Sequence, residues 1–168
     1  PVIKKYKNGN TLENLKWGIV PSWSKKKDFK PLINARLETI DEKISFKKLI
    51  KLHRCVAIAD GFYEWKREEK NKTPHYFLRE DKKNMYMAGI YENDEFCLIT
   101  ENASGNVNII HHRQPVILNE SDVNRYLNLE LSGSNFLNEC KKTKFSFYEV
   151  SKEVNKPTNN SISLIQKI

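Results

Sequence analysis

Short apolar runs separated by polar turns dominate this chain, and they predict a protein built mainly of strands. Three runs in the middle of the chain follow one another closely, so we expect them to be antiparallel neighbours, with residues 80–84 as the first turn. The predicted strands are Leu15–Val20, Cys55–Ala59, Phe62–Trp65, His75–Arg79, Met85–Tyr91, Phe96–Thr100 and Phe145–Val150.

Three other segments repeat apolar residues at intervals of three and four, which is typical of helices with one buried face. Ser45, Ser121 and Ser134 stand where each helix would begin and could cap it. We therefore expect an α+β protein in which the helices pack against strands. The predicted buried faces are Phe46, Leu49, Ile50 and His53; then Val123, Tyr126 and Leu127; then Phe136, Leu137 and Cys140.

The chain has 168 residues, which suits a single domain, and 29 basic against 21 acidic residues leave a net charge of +8. This surplus favours a polyanionic partner, such as nucleic acid or an acidic membrane surface, although a lysine-rich solubilising surface would have the same composition. No window is apolar enough for a membrane span, and no secretory pattern opens the chain. Cys55, Cys97 and Cys140 are too widely spaced for a usual zinc site or disulfide framework, so we expect a reducing cytoplasm.

Two tryptophans, Trp17 and Trp23, bracket Pro21 in a segment that leaves the first predicted strand. Indole rings that remain exposed could stack on nucleobases, each stack contributing about 1–3 kcal/mol. The alternative is that both rings belong to the core. The basic residues that follow favour nucleic acid somewhat; they are Lys25, Lys26, Lys27 and Lys30.

Asn34 and Arg36 are separated by one residue, so on an extended segment their side chains point the same way. Arginine can bind a phosphate through two nitrogens, while asparagine offers both a donor and an acceptor. Arg36 could equally pair with Glu38.

Glu64 stands among Phe62, Tyr63 and Trp65, directly after an Asp-Gly turn. Desolvation by aromatic neighbours would raise its pKa and suit it to general acid–base work. An edge-strand glutamate paired to an arginine would show the same pattern.

His111 and His112 stand side by side before Arg113 and an apolar run. Adjacent side chains on an extended segment diverge, so the two rings should not share one task. Their spacing does not favour a metal site, and a histidine pair is more often structural than catalytic.

Taken in order, four motifs resemble those of the SRAP family, the SOS response-associated peptidase-like proteins that protect abasic sites in single-stranded DNA. The motifs are WGIVPSW, NARLET, ADGFYEW and HHRQPVIL, and residues 150–155 resemble the closing V-S-x-x-V-N segment. The resemblance covers the chain from about Leu15 to Asn155. It implies a compact, largely antiparallel, barrel-like β domain with peripheral helices and a basic groove for single-stranded DNA.

The resemblance also implies a chemistry and assigns residues to it. In the family an N-terminal cysteine, freed by self-processing, condenses through its α-amine with the abasic aldehyde, and its thiol closes a thiazolidine. Asn34 matches the residue that positions this aminothiol, Glu64 the proton shuttle, and His111 the histidine that helps to open the sugar. Arg36 and Arg113 match phosphate contacts. Trp17, Pro21 and Trp23 would line the groove. No metal or cofactor is implied, and we expect a monomer.

Two departures qualify this prediction. The family pattern H-D-R-M-P is replaced by residues 111–115, so His112 stands where an aspartate is usual, which puts the pKa and orientation of His111 in doubt. The opening C-G-R segment is absent before Pro1, so the chain as written is not expected to form a thiazolidine. Residues that precede Pro1 in the gene, or a natural loss of the nucleophile, would explain the absence. A non-catalytic single-stranded-DNA-binding module and a peptidase acting on other proteins are the alternatives.

Overall fold

The computed structural model describes residues 1–26, 28–69 and 71–168. Lys27, one of the lysines that follow Trp23, lies outside the described residues. The chain divides into two units, each made of three segments. The first unit comprises Pro1–Ile58, Met85–Glu101 and Pro115–Thr143, and the second comprises Ala59–Asn84, Asn102–Gln114 and Lys144–Ile168. The single-domain organisation stays a prediction.

A mixed sheet forms the framework of the first unit. Its strands are β1 (Val2–Tyr6), β2 (Gly9–Glu13), β3 (Lys16–Trp17), β4 (Asn34–Arg36), β5 (Arg54–Ala59), β8 (Met85–Glu92), β9 (Glu95–Asn102) and β11 (Ile117–Leu118). Strands β9, β8, β5, β1 and β2 lie side by side in that order, and β11 pairs antiparallel with β8. Strands β3 and β4, in contrast, run parallel to β9. The predicted α+β class is confirmed.

Three short helices pack apolar faces onto the core of the first unit: α1 (Leu49–Leu52), α2 (Glu120–Leu127) and α3 (Asn135–Glu139). The predicted faces of α2 and α3 are buried, except that Cys140 lies just after α3 and is only half-buried. In the core Tyr126 is fully enclosed and donates its hydroxyl to the Gly89 carbonyl at 2.9 Å. Apolar burial thus holds helices that are too short to be stable alone. Within the described ranges, no helix has the length and apolar character needed to cross a membrane.

The second unit is organised by a three-stranded antiparallel sheet in the order β12 (Phe145–Glu149), β7 (Asn71–Arg79) and β6 (Phe62–Glu68). The register places aromatic residues opposite one another in rows, which stabilises strand pairs. One row stacks Phe62, Phe77 and Phe147 with ring centroids 5.0 and 5.1 Å apart, and the other face carries a row of tyrosines. A further short strand, β10, spans Arg113–Pro115.

The predicted hairpin of His75–Arg79 with Met85–Tyr91 is wrong. Strand β7 pairs with β6 and β12 in the second unit, whereas β8 belongs to the sheet of the first unit. The aromatic rows explain the difference, because β7 matches the aromatic alternation of β6 and β12 residue for residue. The predicted antiparallel pairing of β8 with β9 is confirmed.

Two local predictions also need correction. The strand expected over Leu15–Val20 is reduced to β3, because Gly18 has φ of +118°, which breaks an extended strand. Ser45 and Ser121 cap no helix: α1 begins after Lys48 and α2 after Asn119. Ser134 does precede α3, although its side chain accepts no capping hydrogen bond.

Candidate functional site

Glu64 lies on β6, at the edge of the sheet in the second unit, and its register partner is His75. The chain enters β6 through Gly61, where a Cβ atom would overlap the Tyr76 ring and the Phe77 carbonyl. Glycine is therefore required for the turn that delivers Glu64. The predicted alternation is confirmed, since Phe62 and Glu64 share a face that the phenylalanine row covers.

His111 is presented by a tight turn rather than by a strand. The 3₁₀ helix Val107–Ile109 ends so that the His111 backbone N–H donates to the Val107 carbonyl at 2.9 Å. The ring then places Nδ1 3.4 Å from Oε2 of Glu64. The backbone N–H of Arg113 donates to the same Nδ1 at 3.2 Å when that nitrogen is unprotonated. Nδ1 can therefore accept from the Arg113 N–H when it is unprotonated. When it carries a proton, it can donate towards Oε2 of Glu64 or to the Arg113 carbonyl 3.2 Å away.

The environment of Glu64 alters its acidity. Burial raises the pKa of this carboxyl above its ordinary value, and the nearby charge of His111 acts in the opposite direction. A carboxyl that keeps its proton at higher pH can serve as an acid as well as a base near neutrality. The contact with an imidazole provides the partner for that exchange.

This raised pKa predicts a pH dependence of folding stability. The folded state holds the Glu64 proton more tightly than the unfolded state, so stability should fall as pH rises from the ordinary glutamate pKa through the raised one. Glu64→Gln cannot ionise and should lack this loss, so its advantage over wild type should be larger at pH 7 than at pH 4. Urea unfolding of wild type and of Glu64→Gln at the two pH values measures the free energies of unfolding that this comparison needs.

The control uses a His111→Asn background, which removes the charge that lowers the Glu64 pKa. There the pH-dependent advantage of Glu64→Gln should grow. A difference between wild type and Glu64→Gln that is the same at both pH values would contradict the raised pKa.

Glu64 and His111 open into a cavity of about 220 Å³ in the second unit. It is also lined by Arg67, Lys72 and Asn155, none of which the motifs predict as a site residue. Arg67 follows Trp65 by two residues and so shares a strand face with it rather than with Glu64, which means that alternation alone would not have placed it at the site. Lys72 and Asn155 join the lining only through strand register and tertiary folding.

Asn34 and Arg36 lie in the first unit, on β4. Both are exposed, while Ala35 between them is fully buried against the core. The predicted shared orientation is therefore confirmed. Strand β4 is held parallel to β9, with Asn34 opposite Leu98.

The two tryptophans of the first unit offer aromatic surface. Trp17 is 53% and Trp23 is 52% exposed, so the alternative that both are core residues is wrong. The Trp17 indole N–H donates to the Ile33 carbonyl at 2.9 Å, and Trp23 meets Phe29 edge to face at 6.1 Å. Pro21, between the two tryptophans, is buried.

Glutamates from β8 and β9 anchor the segment between the tryptophans. The backbone N–H of Val20 donates to Glu95 at 2.8 Å, and the Ser22 hydroxyl donates to Glu92 at 2.8 Å. These contacts hold the loop against the sheet of the first unit, so both rings are presented from a fixed backbone.

Arg113 lies in the second unit, next to His111, and donates from Nη1 to Oδ1 of Asn102 at 2.7 Å. This hydrogen bond orients the guanidinium group. Among the described residues, no group of three or more His, Cys, Asp or Glu side chains is arranged to hold a metal ion.

Residues 1–157 match the model of SOS response associated peptidase (SRAP). The abasic site processing protein YoqW of Bacillus subtilis is 35% identical over 95% of this chain and 78% of its own length. YedK of Escherichia coli, also named an abasic site processing protein, is 31% identical over 94% and 75%.

A solved structure of a protein from Bacteroides thetaiotaomicron has a TM-score of 0.84 and 27% identity, and covers all of this chain and 80% of that one. A phage-related protein from Bordetella bronchiseptica has a TM-score of 0.73, also at 27% identity, covering 90% of this chain and 78% of its own. The fold and the sequence match thus agree over nearly the whole length. The chain therefore belongs to the SOS response associated peptidase (SRAP) family.

Proposed function

We propose that this protein recognises abasic sites in single-stranded DNA and supplies the proton transfers through which such a site is captured covalently. The observation that carries the proposal is the contact between Glu64, whose pKa burial raises, and Nδ1 of His111 at 3.4 Å. The names of the relatives, which describe abasic site processing, support it.

The chemistry begins with an abasic sugar, whose ring must open to expose an aldehyde. Ring opening moves a proton from the C1′ hydroxyl to the ring oxygen, and imine formation then releases one water as an amine adds to C1′. A carboxyl and an imidazole in contact can donate and accept these protons in turn. Glu64 acts as the shuttle and His111 as the group that assists ring opening.

The resemblance implies where the amine comes from. In the family it belongs to an N-terminal cysteine, whose thiol then adds across the C=N bond, with sulfur bonding to C1′ and hydrogen to nitrogen. Asn34 would position that aminothiol. The proposal includes a monomer that acts in the cytoplasm without a cofactor.

Phosphate contacts and base stacking hold the strand. Arg36 and Arg113 bind phosphates, while Trp17 and Trp23 stack on bases that lie outside a duplex. The net charge of +8 adds a general attraction that salt weakens.

The test compares a single-stranded oligonucleotide carrying one abasic site with the same strand intact. The full-length gene product should bind the abasic strand more tightly and form an adduct that survives heating on a denaturing gel. Equal affinity without an adduct would contradict the proposal and favour the non-catalytic DNA-binding module.

Arg36→Ala and Arg113→Ala are each expected to weaken binding of intact and abasic strands alike. Each loss of one phosphate contact should reduce the slope of log affinity against log salt by about 0.7. Fluorescence anisotropy measures the slope between about 50 and 300 mM salt, a range over which the Debye length falls to roughly half. Arg125→Ala is the control, because this exposed arginine of α2 already pairs with Asp122 and Glu130. An unchanged slope for both test variants would remove these residues from the DNA interface.

A further inference from the structure

Two cations face one another at the cavity beside Glu64 and His111. Arg67 on β6 is the direct register partner of Lys72 on β7, and both side chains line the cavity. Like charges placed directly opposite one another on paired strands repel and are destabilising. Within residues 1–26, 28–69 and 71–168, neither cation forms an ion pair with a carboxylate.

The neighbouring lysine differs from Arg67 and Lys72 in having a carboxylate partner. Lys66 precedes Arg67 on the same strand, yet its ammonium group pairs with Oε1 of Glu68 at 2.5 Å. The charge of Lys66 is therefore neutralised within the strand. Among the described residues, neither Arg67 nor Lys72 has a carboxylate within ion-pair distance, and the charge of Arg67 acts on Glu64 by lowering its pKa.

A third donor completes the lining. Trp65 donates its indole N–H to Oδ1 of Asn155 at 2.8 Å, which leaves the Asn155 amide nitrogen as a donor. Among the described residues that line the cavity, Glu64 is the one carboxylate. The cavity thus offers a guanidinium, an ammonium and an amide beside the acid–base pair.

We infer that this cavity is a subsite for one phosphodiester of the bound strand, held by Arg67, Lys72 and Asn155 next to the sugar on which Glu64 and His111 act. The inference rests on the proposed function and adds a phosphate subsite to it. A volume of about 220 Å³ admits a phosphate group with its bridging oxygens. A phosphate held there would also disfavour the ionised form of Glu64 and keep it ready to donate a proton.

The first experiment measures binding of the double variant Arg67→Gln/Lys72→Gln. Its affinity for an abasic strand should fall about tenfold at ~0.1 M salt, and its salt slope should decrease by about 1.4, since two contacts on a single strand are lost. Its melting temperature should not decrease, because the repulsion between the two cations is removed. Lys66→Gln is the matched control and should bind within about twofold of wild type, because an already paired surface charge contributes little.

The second experiment locates the phosphate. Neutral methylphosphonate linkages are placed one at a time on either side of the abasic site, and each strand is titrated with wild type and with the double variant. One linkage adjoining the lesion should weaken wild-type binding and have no further effect on the double variant, because the two changes remove the same contact. Losses that are equal at every linkage for both proteins would overturn the subsite, as would wild-type affinity in the double variant.

The same titrations separate this inference from the proposed function. If wild type prefers the abasic strand but the double variant binds equally well, the subsite is wrong and the function stands. If wild type binds abasic and intact strands equally, the proposed function fails, and a subsite defined by the lesion fails with it.

Discussion

Replacing Arg54 with methionine is expected to lower the free energy of unfolding by about 3–5 kcal/mol, because it removes a buried charged group that donates several hydrogen bonds. Arg54 is only 3% exposed, and its guanidinium nitrogens donate to five backbone carbonyls at 2.7 to 3.3 Å. It also lies over the Tyr126 ring at 5.0 Å. The acceptor carbonyls are those of Ile50, of Tyr126 in the last turn of α2, and of Glu130, Leu131 and Gly133 beyond it.

Methionine retains the apolar stem but cannot donate, so the carbonyls that follow α2 would lose their partner in a place that water reaches poorly. Urea unfolding with an unchanged m-value measures the loss. Arg125→Met is the matched control, because Arg125 also stacks on an aromatic ring, that of Phe136, but from the exposed side of α2. Its stability should stay close to wild type. Equal effects of the two substitutions would show that Arg54 acts through stacking rather than through its hydrogen bonds.

Glu64→Gln is expected to slow formation of the abasic-site adduct by about 10²–10⁴-fold, the usual contribution of a positioned general acid–base group. Glutamine keeps the size of the side chain but cannot exchange a proton with His111. Affinity for an intact strand should be nearly unchanged, because removal of a carboxylate takes no contact from a phosphate. Single-turnover gel assays with the full-length gene product measure the rate.

Glu149→Gln supplies the control for this substitution. Glu149 lies in the same cross-strand row as Glu64, two strands away on β12, but it is exposed. It should form the adduct at the wild-type rate. His111→Asn should also slow the reaction, and the double variant should be little slower than the slower single variant, because two groups that act as a unit are not additive. A Glu64→Gln rate near wild type would exclude the proposed shuttle.

Several features of the fold and the site follow from periodicity alone. Alternation correctly places Asn34 and Arg36 on one exposed face around buried Ala35, since successive side chains of a strand point to opposite sides. The same rule separates Glu64 from Tyr63 on β6. These predictions succeed because they depend on residues within one element.

Other predictions fail where distant partners decide. The predicted pairing of β7 with β8 is wrong, because β7 pairs instead with β6 and β12, whose aromatic side chains stack against its own. Nothing near Arg54 in the sequence indicates that it binds the carbonyls beyond α2, which lie 76 to 79 residues away. Long-range contacts of this kind have no local signal.

The contact between Glu64 and His111 depends both on local sequence pattern and on long-range folding. Residue type and strand alternation are enough to predict which side chains could exchange a proton and which face of β6 holds the carboxylate, because both are local properties. Folding brings the imidazole to 3.4 Å from that carboxylate and places Arg67 opposite Lys72 beside them. Strand register and burial bring these residues together and raise the pKa of Glu64, and neither can be derived from one segment of the chain.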